Sequence, residues 1–506
     1  MSTSDVVAEQ SRGTYELGVS RPPLEVMDLP TPEEVFKVPR IRFKETIKFA
    51  VGPSLIALGV SIGSGEWLLG PLAVGGSGFE GLGWVILLSA LLQAFYNYEI
   101  ARYVMATGEV PIVGFGRVPP GFFFWIPFSL IAFFAAFILG GWAAAAGQGL
   151  FVLIDGELPT EADLQMTRNA AMFLIGVVFL LTFLARRISR ALELTNWFLV
   201  GSIIVFLLLV DIFIVPGEVW WDGITGFVTP ALPPEGTDAT LLGGLAGFTA
   251  LASGLNWYLM NHYRDKGYGM GHRVGFLAGA RGEKKEVLDV GVTFPDDEKN
   301  RALWRRWTHF LTIDIWGVFF VFAIIGMLLP TILIRHLALL SGQAPTEENI
   351  PTYAANILEQ EYSRFLFFVA LIVGVFILFS TQLGIFEALT RNFVDAVNAT
   401  SPRLREMIGG DPRRLYYPFM ILLAVVISII IHLTLPARLI LISANMSNFG
   451  ALMFPFVLIY LNSKLPPAAR PSPWRYLLLV ANFVFFGFFF INFVTNEFGG
   501  GPLIEF

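Results

Sequence analysis

The sequence predicts an all-α integral membrane protein with about eleven transmembrane helices, arranged as a five-plus-five inverted repeat plus one extra helix. Of the 506 residues, 55% are hydrophobic and only 15% are charged, whereas soluble domains usually have about 25% charged residues. Eleven apolar runs are long enough to cross a bilayer. Two of them, near residues 61–67 and 252–257, are interrupted by a Ser-Gly step, a polar side chain and a Trp.

The apolar runs define the predicted helices in order. They cover residues 47–70, 81–106, 121–153, 170–187, 194–215, 240–262, 308–334, 364–385, 415–435, 438–463 and 474–494. The third and tenth runs are long enough to tilt. The charged, Pro-containing segment 1–45 has no apolar h-region, so we expect a cytoplasmic tail and not a signal peptide.

The distribution of basic residues predicts the orientation. With the N-terminus in the cytoplasm, only four of the 34 Lys and Arg residues fall on the outer side: Arg168, Arg335, Arg364 and Arg438. This matches the positive-inside rule. We therefore expect a multi-pass protein of the plasma membrane, with the C-terminus outside and the lipid bilayer as its partner. Because the basic residues are concentrated on one face, the net charge of -6 does not indicate a charged partner. Nothing in the sequence indicates nucleic-acid binding.

The two interrupted runs indicate an internal repeat. Matching Ser64 to Ser253 offsets the halves by about 189 residues, and because five helices precede the second half, it enters the membrane from the opposite side. Such inverted repeats typically rock around a midplane site formed by broken helices. The predicted units are a tail (1–45), a first repeat (46–215), an outer loop (216–239), a second repeat (240–463) and an eleventh helix with a short outer tail (464–506).

The second repeat contains a predicted cytoplasmic loop, 263–307. Its Gly-rich run, 267–282, is typical of a solvated, partly ordered segment, and a gate element or a regulatory patch are the alternatives. No Gly-Lys-Ser/Thr follows the glycines, which excludes a phosphate-binding loop.

Several motifs resemble those of a known family. The segments 52–55 (Gly-Pro-Ser-Leu), 83–89 (starting Gly-Trp) and 101–108 (Ala-Arg to Ala-Thr-Gly) resemble the first two spans of Nramp-type (natural resistance-associated macrophage protein) metal ion transporters, of the amino acid, polyamine and organocation superfamily. The Asn-x-Tyr-Leu at 256–259 resembles part of the sixth span. The resemblance implies eleven or twelve spans and metal ion transport.

The chain departs from this family where the cargo should bind. The family's Asp-Pro-Gly-Asn motif falls on residues 63–66, so Gly63 replaces the metal-binding Asp and Glu66 replaces the Asn. The family's Met-Pro-His falls on 253–255, and the soft thioether that favours transition metals is absent. The third span has no Asp or Glu between residues 121 and 154. Proton coupling would therefore need a route other than the family's.

Glu66 is the central candidate residue. It is the only carboxylate in the middle of the first span, where a charge costs about 2.5 to 3.5 kcal/mol even on the insertion scale. Oxygen ligands around it would suit Mn²⁺, Mg²⁺ or Ca²⁺ better than zinc or copper. The predicted substrate-binding residues are Glu66 and Asn256 as metal ligands, with backbone or side-chain oxygens at Ser61, Gly63, Ser64, Gly65, Thr249, Ala250 and Ser253.

Other interpretations of these residues remain open. Glu66 could complement the dipole of a half-helix that Ser64 caps, or it could carry the coupling proton. Asn256 could serve as interhelical glue. In the superfamily, spans eight and ten flank the substrate. By that resemblance Gln382, Asn445 and Asn448 are second-tier candidates, and each could equally form an interhelical hydrogen bond.

The remaining polar residues indicate no catalytic centre. Glu99 and Arg102 should pair near the end of span two. Asp211 and Asp314 lie toward the ends of their spans, where we expect water to reach them. The five His residues have no ligand spacing, and no nucleophile or phosphate motif occurs, so we expect neither an enzyme nor a cofactor.

The predicted function is secondary active transport of a divalent cation by alternating access, with H⁺ as the candidate coupling ion. The alternative on the same fold is an ion-coupled transporter of a small organic solute such as an amino acid or an amine. A membrane sensor that uses the long loop is a third interpretation.

Overall fold

Ten helices in the described part of the chain are long and apolar enough to cross a membrane. The structure is a computed structural model that describes residues 29, 38–39, 52–63, 65–184, 188–251, 253–274, 291–502 and 504. The predicted sixth span, 240–262, is present as two shorter helices separated by a break. Most of the predicted tail, Ser64, Ala252 and the second half of the Gly-rich run lie outside the described residues.

In the first half, the described residues form nine α-helices and a π-helical segment, Gly65–Leu69, between α1 and α2. The helices are α1 (Gly52–Ser61), α2 (Gly70–Ser77), α3 (Gly83–Thr107), α4 (Pro111–Phe115), α5 (Phe122–Phe137), α6 (Gly141–Asp155), α7 (Leu164–Leu184), α8 (Ile188–Ile214) and α9 (Gly217–Val228).

The second half begins with the interrupted sixth span and ends with the extra helix. Its helices are α10 (Ala239–Gly247), α11 (Gly254–Lys266), α12 (Gly271–Val274), α13 (Glu298–Thr312), α14 (Val321–Ser341), α15 (Ile350–Glu361), α16 (Arg364–Thr400), α17 (Pro402–Met407), α18 (Arg413–Ile430), α19 (Pro436–Ser463) and α20 (Pro473–Phe498). A π-helical segment, Ile313–Phe320, joins α13 to α14.

The third span differs from its prediction. The sequence predicts one long helix over 121–153, whereas the structure has α5 and α6 separated near Gly140. Gly140 has φ 72°, a left-handed conformation that is costly for other residues. A Cβ there would also press on Ile427 of α18. The break therefore combines a backbone turn with close helix packing.

Two described stretches of the 263–307 loop, 267–274 and 291–294, pack against the end of α3, whereas the sequence predicts a solvated segment. Gly269 lies so close to the backbone of Met105 that a Cβ would overlap it. The Met270 N–H donates to the Met105 carbonyl at 2.8 Å, and the Val292 N–H donates to the Thr107 carbonyl at 2.8 Å. The glycine serves close backbone approach here, and the loop covers one end of the helix bundle.

A buried ion pair fixes the same end of the molecule. Glu109 follows α3 and binds Arg117, and it accepts the Gly291 N–H at 2.9 Å. Burial alone would raise the pKa of Glu109, but the charge and hydrogen bonds of Arg117, with the Gly291 N–H, hold that pKa below its ordinary value. The loop is thus tied to the first repeat by charge as well as by backbone bonds.

The predicted pair at the end of α3 is confirmed. Arg102 Nε donates to Glu99 Oε2 at 3.0 Å. The same carboxylate also pairs with Arg475 of α20, and Asn462 donates its side-chain amide to the Glu99 carbonyl at 3.0 Å. Glu99 therefore joins the first repeat to the last two helices.

Candidate functional site

Both predicted helix breaks are present. α1 ends at Ser61 and the chain resumes as the π-helical segment at Gly65. The second break lies between α10 and α11, where Ala250 has φ 70° and Ser253 has φ 49°. These are the positive-φ residues other than glycine in the described chain, and each such conformation costs about 1 to 3 kcal/mol. Strain of this kind clusters at ligand sites.

The two breaks touch each other and α16. A Cβ on Gly65 would overlap the carbonyl oxygen of Phe248 in the second break. A Cβ on Gly63 would overlap the Thr381 hydroxyl, which itself donates to the Val60 carbonyl at 2.8 Å. Only residues without a side chain allow these approaches. The small residues between α1 and the π-helical segment therefore bring backbone groups from three spans together.

Glu66 lies at this junction. Its side chain is fully buried, and neither carboxylate oxygen has a hydrogen-bond partner among the described residues. The Ser61 hydroxyl, also without a described partner, and the Ala250 backbone face it. A buried carboxylate without compensation is strongly destabilising. The arrangement therefore calls for a bound cation or a proton.

Two further side-chain oxygen atoms without a described partner lie at or just after the second break. Asn256 donates its side-chain amide to Gln93 Oε1 of α3 at 2.6 Å, which leaves Asn256 Oδ1 without a partner in the described residues. The Ser253 hydroxyl is buried against Gly450 of α19 and likewise has no described partner. Thr249 is already engaged, because its hydroxyl donates to the Leu245 carbonyl at 2.6 Å. The orientation of Asn256 is thus set by α3.

The second-tier candidates bind backbone groups next to the helix breaks. Gln382 Oε1 accepts the Ala143 N–H at 3.1 Å, near the start of α6. Asn445 and Asn448 of α19 donate to two carbonyls of α10, at 2.8 and 2.9 Å. Each side chain therefore makes the interhelical hydrogen bond that the sequence left as an alternative. Together they hold α6 and α10 at the edges of the site.

Aromatic rings enclose the second break. Phe248 packs on Phe137 and Trp142, with ring centroids 5.7 and 5.6 Å apart. On the other side, Trp257 meets Phe454 edge-on at 4.4 Å. All described candidate residues are buried. The site is therefore closed to both faces of the protein in this structure.

Acidic residues elsewhere in the spans lie apart from the site. In the described part of the chain, no three His, Cys, Asp or Glu residues form a group that could hold a metal ion. Asp211 and Asp314 are both fully buried, so the expectation that water reaches them is wrong. Asp314 accepts a hydrogen bond from the Tyr263 hydroxyl, because the π-helical segment turns it into the packed bundle.

Sequence reasoning missed two features of this region. Gln93 orients Asn256, and an amide between apolar residues of the second span was the available signal. The other is a set of charges shared between α11 and α16, whose members include Asp265 and Arg391. These charges lie beyond the ends of the predicted spans 240–262 and 364–385, and which residues pair depends on how the helices pack.

The architecture defines a class: multi-pass membrane proteins with the Nramp-type and LeuT-type transporter fold, built on two broken helices. No protein-family model matches the sequence, and no curated protein matches it. Among solved structures, a mutant of the Eremococcus coleocola manganese transporter has a TM-score of 0.59 at 15% identity, covering 95% of this chain and 93% of that chain.

Two other solved structures extend the comparison. The same manganese transporter in complex with an aromatic bis-isothiourea compound has a TM-score of 0.56 at 16% identity, covering 95% and 93% of the two chains. MhsT in complex with L-phenylalanine has a TM-score of 0.52 at 15% identity, covering 87% and 97%. These likenesses confirm the predicted fold class. At such low identity they describe the fold and not the cargo.

Proposed function

We propose that this protein is a secondary active transporter that carries a divalent cation by alternating access. The observation that carries the proposal is Glu66, a buried carboxylate with two unpartnered oxygens at the meeting point of two broken helices. Irregular backbone at membrane depth is tolerated where it lines a cavity or is buried in protein. Midplane sites between broken helices are where such transporters bind their cargo.

The available ligands favour a hard cation. Glu66 would supply the negative charge, and Asn256 Oδ1, the Ser61 and Ser253 hydroxyls and the freed carbonyls would supply neutral oxygens. Oxygen-only donor sets suit Mn²⁺, Mg²⁺ and Ca²⁺. A manganese transporter is also among the proteins that share this fold. In the proposed orientation the protein lies in the plasma membrane with the N-terminus in the cytoplasm, as the basic residues indicate.

Cargo binding would drive the conformational cycle through Glu66. In the closed structure the Glu66 carboxylate has no described partner. A cation should therefore bind most tightly in the conformation in which the two helix breaks lie close together. A ligand shifts a conformational equilibrium only by its difference in affinity between the states. Binding would stabilise the occluded state, from which either face can open.

A small organic ammonium solute is the second candidate cargo. The site has one carboxylate, which balances one positive charge, and Phe248, Phe137 and Trp142 provide an aromatic wall beside it. Aromatic faces attract organic cations and apolar groups. MhsT, which shares the fold, was solved with L-phenylalanine bound.

Uptake by purified protein in liposomes tests this proposal. Mn²⁺, Mg²⁺, Ca²⁺ and Cd²⁺ would be compared for wild type and Glu66→Gln, which keeps the side-chain shape and removes the charge. Asp211→Asn is the matched control, since it removes a fully buried carboxylate without a described partner outside the site.

We expect saturable uptake of a hard cation by wild type and by Asp211→Asn, and its loss in Glu66→Gln. Folded wild-type protein that takes up no divalent cation would contradict the metal proposal. Uptake of an organic amine that depends on Glu66 would then identify the second candidate.

A further inference from the structure

A buried network of five charged side chains joins α11 to α16. We name it the inner charge network. Arg391 Nη2 donates to both carboxylate oxygens of Asp265, at 2.7 and 2.6 Å, and Arg391 Nη1 donates to Glu387 Oε1 at 3.3 Å. Arg264 lies 3.4 Å from Asp265 and 3.4 Å from Asp395. Arg391 and Glu387 are 0% exposed, and Asp265 is 1% exposed.

In the described part of the chain, three carboxylates of the inner charge network, Asp265, Glu387 and Asp395, lie around two guanidinium groups, Arg264 and Arg391. The carboxylates share these partners unequally. A buried carboxylate whose charge is poorly compensated is very costly in a low-dielectric interior, and such a group normally becomes neutral instead. The least compensated carboxyl group of the network should therefore bind a proton.

The geometry selects Glu387 as that group. Asp265 takes the two short bonds of Arg391, and the Asp395 side chain is 15% exposed and in reach of Arg264. Glu387 Oε1 accepts from Arg391 at 3.3 Å, and its second oxygen, Oε2, which the neutral Tyr258 side chain approaches, accepts no hydrogen bond from the described residues. Glu387 is the most buried and least compensated carboxyl group of the three.

The network lies between the candidate site and one face of the protein. Along α16, Glu387 is six residues beyond Thr381, about 9 Å at 1.5 Å per residue, and Thr381 contacts the first break. Along α11, Asp265 is nine residues beyond Asn256, about 14 Å. Both helices run toward the face covered by the 267–274 segment, which the basic residues predict to be cytoplasmic.

Other titratable groups lie beside the inner charge network. Tyr258 of α11 and Tyr416 of α18 face Glu387, and His262 of α11 faces Arg391 and Asp265. Both His262 ring nitrogens lack a partner in the described structure, and the ring packs edge-on to Tyr258 at 4.5 Å. His262 is therefore the rival proton carrier that an experiment must separate from Glu387.

We propose that Glu387 is a proton-binding site of this protein and carries the coupling proton. The coupling role rests on the transport function proposed above, whereas proton binding itself rests on the network alone. The third span offers no Asp or Glu between residues 121 and 154. Glu387 supplies a buried carboxyl group between the candidate site and the face covered by the 267–274 segment.

The shared guanidinium links proton release to opening. With Glu387 protonated, Arg391 is committed to Asp265 and locks α11 to α16. When Glu387 releases its proton to the adjacent face, its new negative charge competes for Arg391, which lies one helical turn away on the same helix. The interhelical bonds to Asp265 weaken, and the two helices can separate. Rebinding the proton restores the lock.

Infrared difference spectroscopy of the purified protein, between mildly acidic and alkaline buffer, tests proton binding without any cargo. The measurement is made in a Glu66→Gln background and with glutamate labelled with carbon-13. Glu66 then contributes nothing, and the bands of the buried Asp211 and Asp314 are recognised because the label does not shift them. A protonated carboxylic-acid band that disappears on alkalinisation and shifts with the glutamate label is expected. Glu387→Gln should remove this glutamate band, and His262→Gln and Asp211→Asn should retain it.

A band unaffected by Glu387→Gln would overturn the proposal, as would one lost in His262→Gln. If Glu387→Gln does not fold, the labelling result and a changed band frequency in Glu387→Asp decide instead. In liposomes, Glu387→Gln should still take up cargo down its concentration gradient but should no longer acidify the liposome interior. Acidification by this variant would overturn the coupling role. If wild type takes up no cargo, the transport proposal fails while the infrared result still decides proton binding.

Discussion

The strongest stability prediction concerns the bond between α11 and α16. Asp265→Asn keeps the side-chain shape but removes the charge that faces Arg391, and both side chains are at most 1% exposed. Breaking a buried ion pair by removing one partner typically costs about 3 to 5 kcal/mol, because the remaining charge is left uncompensated. The matched control is Arg438→Gln, since its pair with Glu497 has a similar distance, 2.8 Å, but lies 32% and 28% exposed.

An exposed pair of this kind is worth about 0 to 1 kcal/mol. Denaturant unfolding of both variants in the same detergent measures the difference. The double variant Asp265→Asn with Glu387→Gln should lose more than the sum of the single changes, because Glu387 can take over Arg391 only while it can ionise. An Asp265→Asn cost no larger than that of Arg438→Gln would refute the reasoning.

Three further outcomes follow from local packing and charge. Gly63→Ala places a methyl group on the Thr381 hydroxyl of α16 and should lower the free energy of unfolding by about 1 to 3 kcal/mol. The control Gly201→Ala has nothing within 4 Å of the new methyl group and should stabilise α8 by up to about 1 kcal/mol. Equal effects of the two variants would argue against the close approach at Gly63. Asn448→Ala should lose one interhelical bond, about 0.6 to 1.7 kcal/mol, and keep uptake, so that a stable variant without uptake would reveal a direct role. Arg117 and a backbone N–H hold the pKa of Glu109 below its ordinary 4.5. The contribution of Glu109 to the free energy of unfolding should therefore be complete above about pH 4.5 and be lost as the pH falls through the lower folded-state pKa. Glu109→Gln should remove this acid dependence, and an unchanged acid-unfolding transition in this variant would contradict the assignment.

Hydropathy and the spacing of Gly and Ser were sufficient to predict the fold class. A span must satisfy its own backbone in lipid, so an apolar run of sufficient length has few alternatives to a helix. The same constraint marks a Gly-interrupted run as a broken helix. The first break lies within the predicted 61–67, whereas the second lies between Gly247 and Gly254 and so begins before the predicted 252–257. The break at Gly140 was missed although Gly140 and Gly141 are adjacent, a pair that often marks a turn; the length of the apolar run favoured one continuous helix.

Only part of the candidate site could be predicted from the sequence. Glu66 could be singled out because a lone carboxylate in a span is costly, and its burial agrees with that reasoning. The engagement of Asn256 with Gln93, and the rotation that buries Asp314, depend on helix orientation. Hydropathy does not determine which face of a uniformly apolar helix points inward. The inner charge network was missed because its members lie beyond the predicted ends of the sixth and eighth spans.

The most direct test of the proposed cation site is an anomalous-diffraction map of crystals grown with Mn²⁺. The proposed function predicts a single strong peak beside the Glu66 carboxylate, between the two helix breaks, that is absent in Glu66→Gln crystals. A peak elsewhere in the membrane region, or none beside Glu66 at a Mn²⁺ concentration that supports uptake, would contradict the assignment of this site to a divalent cation.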